Sequence, residues 1–127
     1  MKRRLISMLV VLALSLAVCL MSLLAICSAA NEIEAMRTET LKLVEAGDLD
    51  RAGERIAQMA EAWKRHEPLL EAIAPHETLH AVTQLIVESD ANLESRDLDD
   101  LNRSMKLLGL AIEHLYLDER FRLENIL

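Results

Sequence analysis

"EAGDLDRAGERIAQM" at residues 45–59 and "ESRDLDDLNRSMKLL" at residues 94–108 decide the fold. Both carry a Glu, then Asp-Leu-Asp, then an apolar residue at matching offsets. Each sits between two segments with helical apolar spacing, so each marks a helix–helix turn. In the first, Gly47 suits a helix end and Asp48 can cap the next helix start. In the second, Asp97 offers the same cap. The chain therefore divides into two helical hairpins of similar design.

The flanking segments support that division. A first segment, about Asn31 to Ala46, places Ile33, Met36, Leu41 and Val44 on one face and may be entered directly from the apolar run before it. The second places Leu49, Ala52, Ile56, Met59 and Trp63 at alternating steps of three and four, an amphipathic stripe. Pro68 is expected to end or kink it. Pro75 opens a third helix with Leu79, Val82, Ile86 and Leu93 on one face. The fourth carries Leu98, Leu101, Met105, Leu108, Ile112 and Leu115. No segment has a period of two, so the predicted fold is all-α: an N-terminal transmembrane helix followed by two antiparallel hairpins, forming a small four-helix bundle.

The first thirty residues differ sharply from the rest. Lys2, Arg3 and Arg4 precede an uncharged run from Leu5 to Ala30. A secretory signal has an apolar core of roughly 7–15 residues, whereas a spanning helix needs roughly 20. Residues 1–30 are thus read as an uncleaved anchor, and residues 31–127 as an exported domain. Ser28-Ala29-Ala30 provides the alternative, a small-residue cleavage site. Ile26 before Cys27 and Val18 before Cys19 are too bulky for a lipoprotein site. The basic amino end places the N-terminus in the cytoplasm and the domain outside a bacterial cytoplasmic membrane. Within the span, Ser15, Cys19, Ser22 and Ala29 share one face. Such small-residue stripes allow helices to approach closely, so pairing with a second copy or another membrane protein is expected.

The exported part holds all 21 acidic residues and 11 of the 14 basic ones, a formal charge of −10. That surface excludes nucleic acid as a partner and disfavours adhesion to anionic headgroups. Both cysteines, Cys19 and Cys27, lie in the apolar run, so no disulfide framework supports the domain. Its only aromatics are Trp63, Tyr116 and Phe121, and its core must be aliphatic.

One motif bears on chemistry. "HETLH", residues 76–80, matches the H-E-x-x-H pattern of zinc peptidases, with His76 and His80 one helical turn apart and Glu77 as a candidate general base. A third ligand could come from Glu113 or His114 if helices three and four pair antiparallel. Three features oppose that reading. There is no strand to hold a substrate, the motif starts at a helix end beside Pro75, and Glu77 is favoured there by the helix dipole alone. We therefore expect no catalytic residue, cofactor or metal site, with His76, His80, Glu113 and His114 as the residues to inspect. The acidic run Asp97, Asp99 and Asp100 lacks the glycine and distant glutamate of a calcium loop. Trp63 is expected in the core.

Trp63, His76 at the start of helix three, and the ending "AIEHLYLDERFRLENIL" at residues 111–127 resemble a bacterial domain-of-unknown-function family, number four-three-six-three, found in Firmicutes. The resemblance implies short single-pass proteins with an exported helical domain and brings no known activity. In that pattern His76 and His114 fit, whereas the position of His80 usually holds an acidic residue. The ending Asn125-Ile126-Leu127 departs only in its last residue. The function expected is thus a non-catalytic interaction or structural module at the outer face of the membrane, with a membrane-tethered zinc hydrolase or a metal-binding module as the alternatives.

Overall fold

The computed structural model describes residues 1–126, with side-chain detail for all of these except 119, 121–123 and 126. Among the described residues there are four helices: α1 (Lys2–Glu45), α2 (Leu49–Ile73), α3 (His76–Glu94) and α4 (Leu98–Ile126). α1 packs on α2 and α4, α2 on α3, and α3 on α4. The helices thus close a square, up-down-up-down bundle, as the two-hairpin reading requires.

Both hairpin turns have the same backbone design. Each helix ends in a Schellman motif. Asp48 N–H donates to the Leu43 carbonyl and Gly47 N–H to Val44; Asp97 N–H donates to Asn92 and Arg96 N–H to Leu93. These bonds satisfy carbonyls that a helix end otherwise leaves open. Gly47 adopts a left-handed φ of 78° and Arg96, at the equivalent position, one of 59°. The residue after each then caps the next helix. Asp48 Oδ1 accepts from Arg51 N–H at 3.3 Å and Asp97 Oδ1 from Asp100 N–H at 3.2 Å.

The core follows the predicted stripes except at the hairpin turns, where Leu98 is exposed and Leu49 half-buried, and along the first segment, where Ile33 is buried but Met36, Leu41 and Val44 only partly so. Ala52, Ile56, Met59 and Trp63 of α2 are buried, as are Leu79, Val82, Ile86 and Leu93 of α3 and Leu101, Met105, Leu108, Ile112 and Leu115 of α4. Trp63 is 2% exposed, and its indole N–H donates to Thr83 Oγ1 at 2.8 Å. Pro68 does not end α2, which continues to Ile73. Pro68 is on the exposed side of the helix, where water can bond the carbonyl its ring leaves free. Buried Leu70 keeps the following turn on the bundle.

α1 has two parts without a break between them. Large side chains from Leu5 to Leu24 are mostly exposed, whereas Ile26, Ala29, Ala30 and Ile33 are buried in the common core. The helix is long and apolar enough to cross a membrane. The bundle thus takes in the end of the apolar run, and Ala29 and Ala30 of the small-residue cleavage candidate lie inside it. No linker separates the two parts.

Candidate functional site

The histidines of "HETLH" lie at the start of α3, with Pro75 preceding the first turn. His76, Glu77 and His80 are all exposed, and so are Glu113 and His114 on α4. Among the described residues, no hydrogen bond or ion pair joins His80 to Glu113 or His114. The side chain that joins α3 to α4 at this end is Thr78, which donates to Asp118 Oδ2 at 3.4 Å. His80 lies two residues on, about 200° around the helix, and so faces away from α4. Glu113 in turn lines a groove against α1, on the side of α4 away from α3. Among the described residues, no three His, Cys, Asp or Glu side chains converge to hold a metal ion.

A different cluster emerges between α1 and α4. A groove of about 680 Å³ is lined from α1 by Ala30, Asn31, Glu34 and Arg37, and from α4 by Lys106, Gly109, Leu110, Ile112, Glu113 and Tyr116. Arg37 organises its centre. Its Nε donates to Glu34 Oε2 at 2.8 Å, its Nη2 to Glu34 Oε1, and its Nη1 reaches the Met105 carbonyl at 3.3 Å. The hydrogen bond to Glu34 holds the guanidinium pKa above its ordinary value, against the opposing effect of burial. The cation therefore stays charged and bridges the two helices.

Gly109 makes that bridge possible. A Cβ there would sit 2.9 Å from Arg37 Cζ and 3.1 Å from its Nε, closer than van der Waals contact permits. The groove mixes charge and apolar surface, because Leu110 and Tyr116 are exposed beside Arg37, Lys106, Glu34 and Glu113. Such a mixture suits a protein or peptide surface. Arg37 and Gly109 are far apart in the sequence, and no local motif joins them. The cluster's one signal was the isolated glycine in "KLLGLAI", which in a helix commonly marks close approach.

Two further polar contacts tie the bundle together. Glu32 of α1 accepts from Arg65 at 3.3 Å and meets His66 Nε2 at 2.6 Å, both on α2. Ser89 of α3 and Ser104 of α4 lie 3.0 Å apart inside the core, where the Ser89 hydroxyl can donate to Ser104 Oγ or to the Leu85 carbonyl and the Ser104 hydroxyl donates to the Leu101 carbonyl. These contacts are internally satisfied and hold helices in register.

Residues 20–126 match the model of a family described as a domain of unknown function, DUF4363. The chain belongs to this family. The matched region takes in the last turns of the apolar run together with all four bundle helices, in keeping with the unbroken course of α1. Comparison with curated proteins and with solved structures finds no match.

Proposed function

We propose that the protein is a non-catalytic interaction module, held by α1 at the outer face of the bacterial cytoplasmic membrane. The observation that carries this reading is the single helix that leads from an exposed apolar stretch, Leu5 to Leu24, straight into a packed bundle core. An apolar face that long is unfavourable in water and matches a bilayer core of roughly 30 Å at 1.5 Å per residue. Lys2, Arg3 and Arg4 set the amino end inside. The groove between α1 and α4 is the surface offered to a protein partner, because it sets exposed Leu110 and Tyr116 beside fixed charges.

A photo-activatable crosslinking residue at position 110 in the full chain, expressed in its membrane, tests this reading against the same residue at Val87 on α3. A discrete crosslinked species from position 110 and none from position 87 is expected. Equal crosslinking at both positions, or none at either, would remove the groove as a partner surface.

A further inference from the structure

The end of α4 extends beyond the bundle on the side of the apolar run. α3 has 19 residues and α4 has 29, and the two start level at the turn around Arg96. The excess of ten residues is about 15 Å of helix. Its level along α1 follows from the contact of Arg37 with Met105 and Gly109. Counting equal rises along the antiparallel pair, Leu117 stands level with about residues 27–29 of α1, and Ile126 with about residues 18–20.

The burial of α1 carries the imprint of that overlap. Cys19, Ser22 and Leu23 are half-buried, whereas Leu20, Met21 and Leu24 on the other faces are exposed. The covered positions lie on the face that continues to Ile26 and Ala30, which are core residues of the bundle. Counted from Glu32 beside Arg65 and His66, α2 ends level with about residues 24–25 of α1, so Leu23 borders its end whereas Cys19 and Ser22 lie past it, at the level that α4 reaches. What remains of the apolar run uncovered on every side, Leu5 to Val18, measures about 20 Å, well short of a bilayer core of roughly 30 Å.

We infer that the last turns of α4, from Leu117 onward, are seated in the membrane interface beside α1, so that the protein meets the bilayer with two helices rather than one. This inference rests on the reading of α1 as a spanning helix. The chemistry of the segment fits a polar–apolar boundary. Leu117 and Tyr116 are exposed where α4 leaves the bundle, and tyrosine is enriched at that depth. Arg120 and Glu124 pair at 3.5 Å along the helix, and the charged residues of the segment, Asp118, Glu119, Arg120, Arg122 and Glu124, sum to −1, close to balance where the dielectric falls. By the same count Arg120 stands level with about residues 24–26 and Glu124 with about 20–22, so the helix end straddles the edge of the hydrocarbon core and Glu124 reaches it as the partner of Arg120 rather than as an isolated ion.

Tryptophan placed by single substitution reads the depth. Leu117→Trp and Leu107→Trp are made in the otherwise intact chain, reconstituted into phosphatidylcholine vesicles brominated near the top of the acyl chain. Both positions are exposed sites on α4, and Trp63 in the core serves as an unquenched reference. Leu117→Trp is expected to lose about half of its added emission to the brominated lipid, and Leu107→Trp almost none. Tyr116→Trp, with the same expectation as Leu117→Trp, substitutes for it if circular dichroism shows that variant to be misfolded. Equal quenching at 117 and 107 in protein that floats with the vesicles overturns the seating of α4 and leaves the span intact. Protein that fails to float overturns both.

Discussion

Ile26 lies within the apolar run by sequence but has no exposed surface, whereas Leu24, two residues earlier, is 60% exposed. Replacing Ile26 with Ala removes three carbons from a packed site. At about 0.8 kcal/mol per buried methylene the transfer loss is about 2.4 kcal/mol, and the cavity left behind brings the total to about 2–5 kcal/mol. Leu24→Ala removes the same number of carbons from an open surface and is expected to cost the bundle less than about 0.5 kcal/mol. For a domain of about 100 residues, the difference corresponds to a fall in Tm of about 10–30 °C. The assay is thermal unfolding of the full chain in nanodiscs, followed by Trp63 fluorescence so that only the bundle core is observed. A Tm for Ile26→Ala within about 2 °C of Leu24→Ala would refute the reasoning, because Ile26 would then be a lipid-facing residue of a plain anchor.

Arg96 holds a left-handed conformation that costs a residue with a side chain about 1 kcal/mol relative to glycine; Arg96→Gly should therefore raise the Tm by several degrees, and Gly47→Ala should lower it, in the same melting assay. Gly109→Ala gains about 1 kcal/mol of helix propensity but displaces the Arg37 guanidinium, so in the parent chain the gain should vanish. In an Arg37→Ala background it should return in full, and additive values across that double-mutant cycle would contradict the steric account. His76→Ala and His80→Ala, at exposed positions, should together change stability by less than about 0.5 kcal/mol. After equilibration with zinc and desalting, the parent should retain no more metal than the double variant, as metal analysis of both proteins would show.

The hairpin turns and core stripes were legible because they depend on local chemistry. Gly47, Asp48 and Asp97 each act within a few residues of their own position, and the alternating steps of three and four along α2 and α4 survive in the packed core. The 49-residue echo between the two turns even paired Gly47 with Arg96, whose matching left-handed backbone no arginine side chain announces. Pro68 was misleading because a proline's effect depends on which side of the helix it occupies, and that is settled by packing. The Arg37–Gly109 contact joins residues 72 positions apart, so its geometry depends on the register of α1 against α4. The same register governs where "HETLH" points. The spacing placed His76 and His80 on one face, but only the rotation of α3, with Thr78 toward Asp118, turned that face away from α4. The point where the apolar run enters the bundle was also hidden, since Ile26, Ala29 and Ala30 are as apolar as their neighbours and differ only in what they touch.

Alkaline carbonate extraction of membranes containing the full chain, detected through a tag after residue 127, tests the account most directly. The account predicts that the bundle remains in the membrane pellet at full-length mass, because α1 is a continuous helix shared by span and core. Bundle released to the supernatant, shortened by removal of the residues up to Ala30, would contradict it.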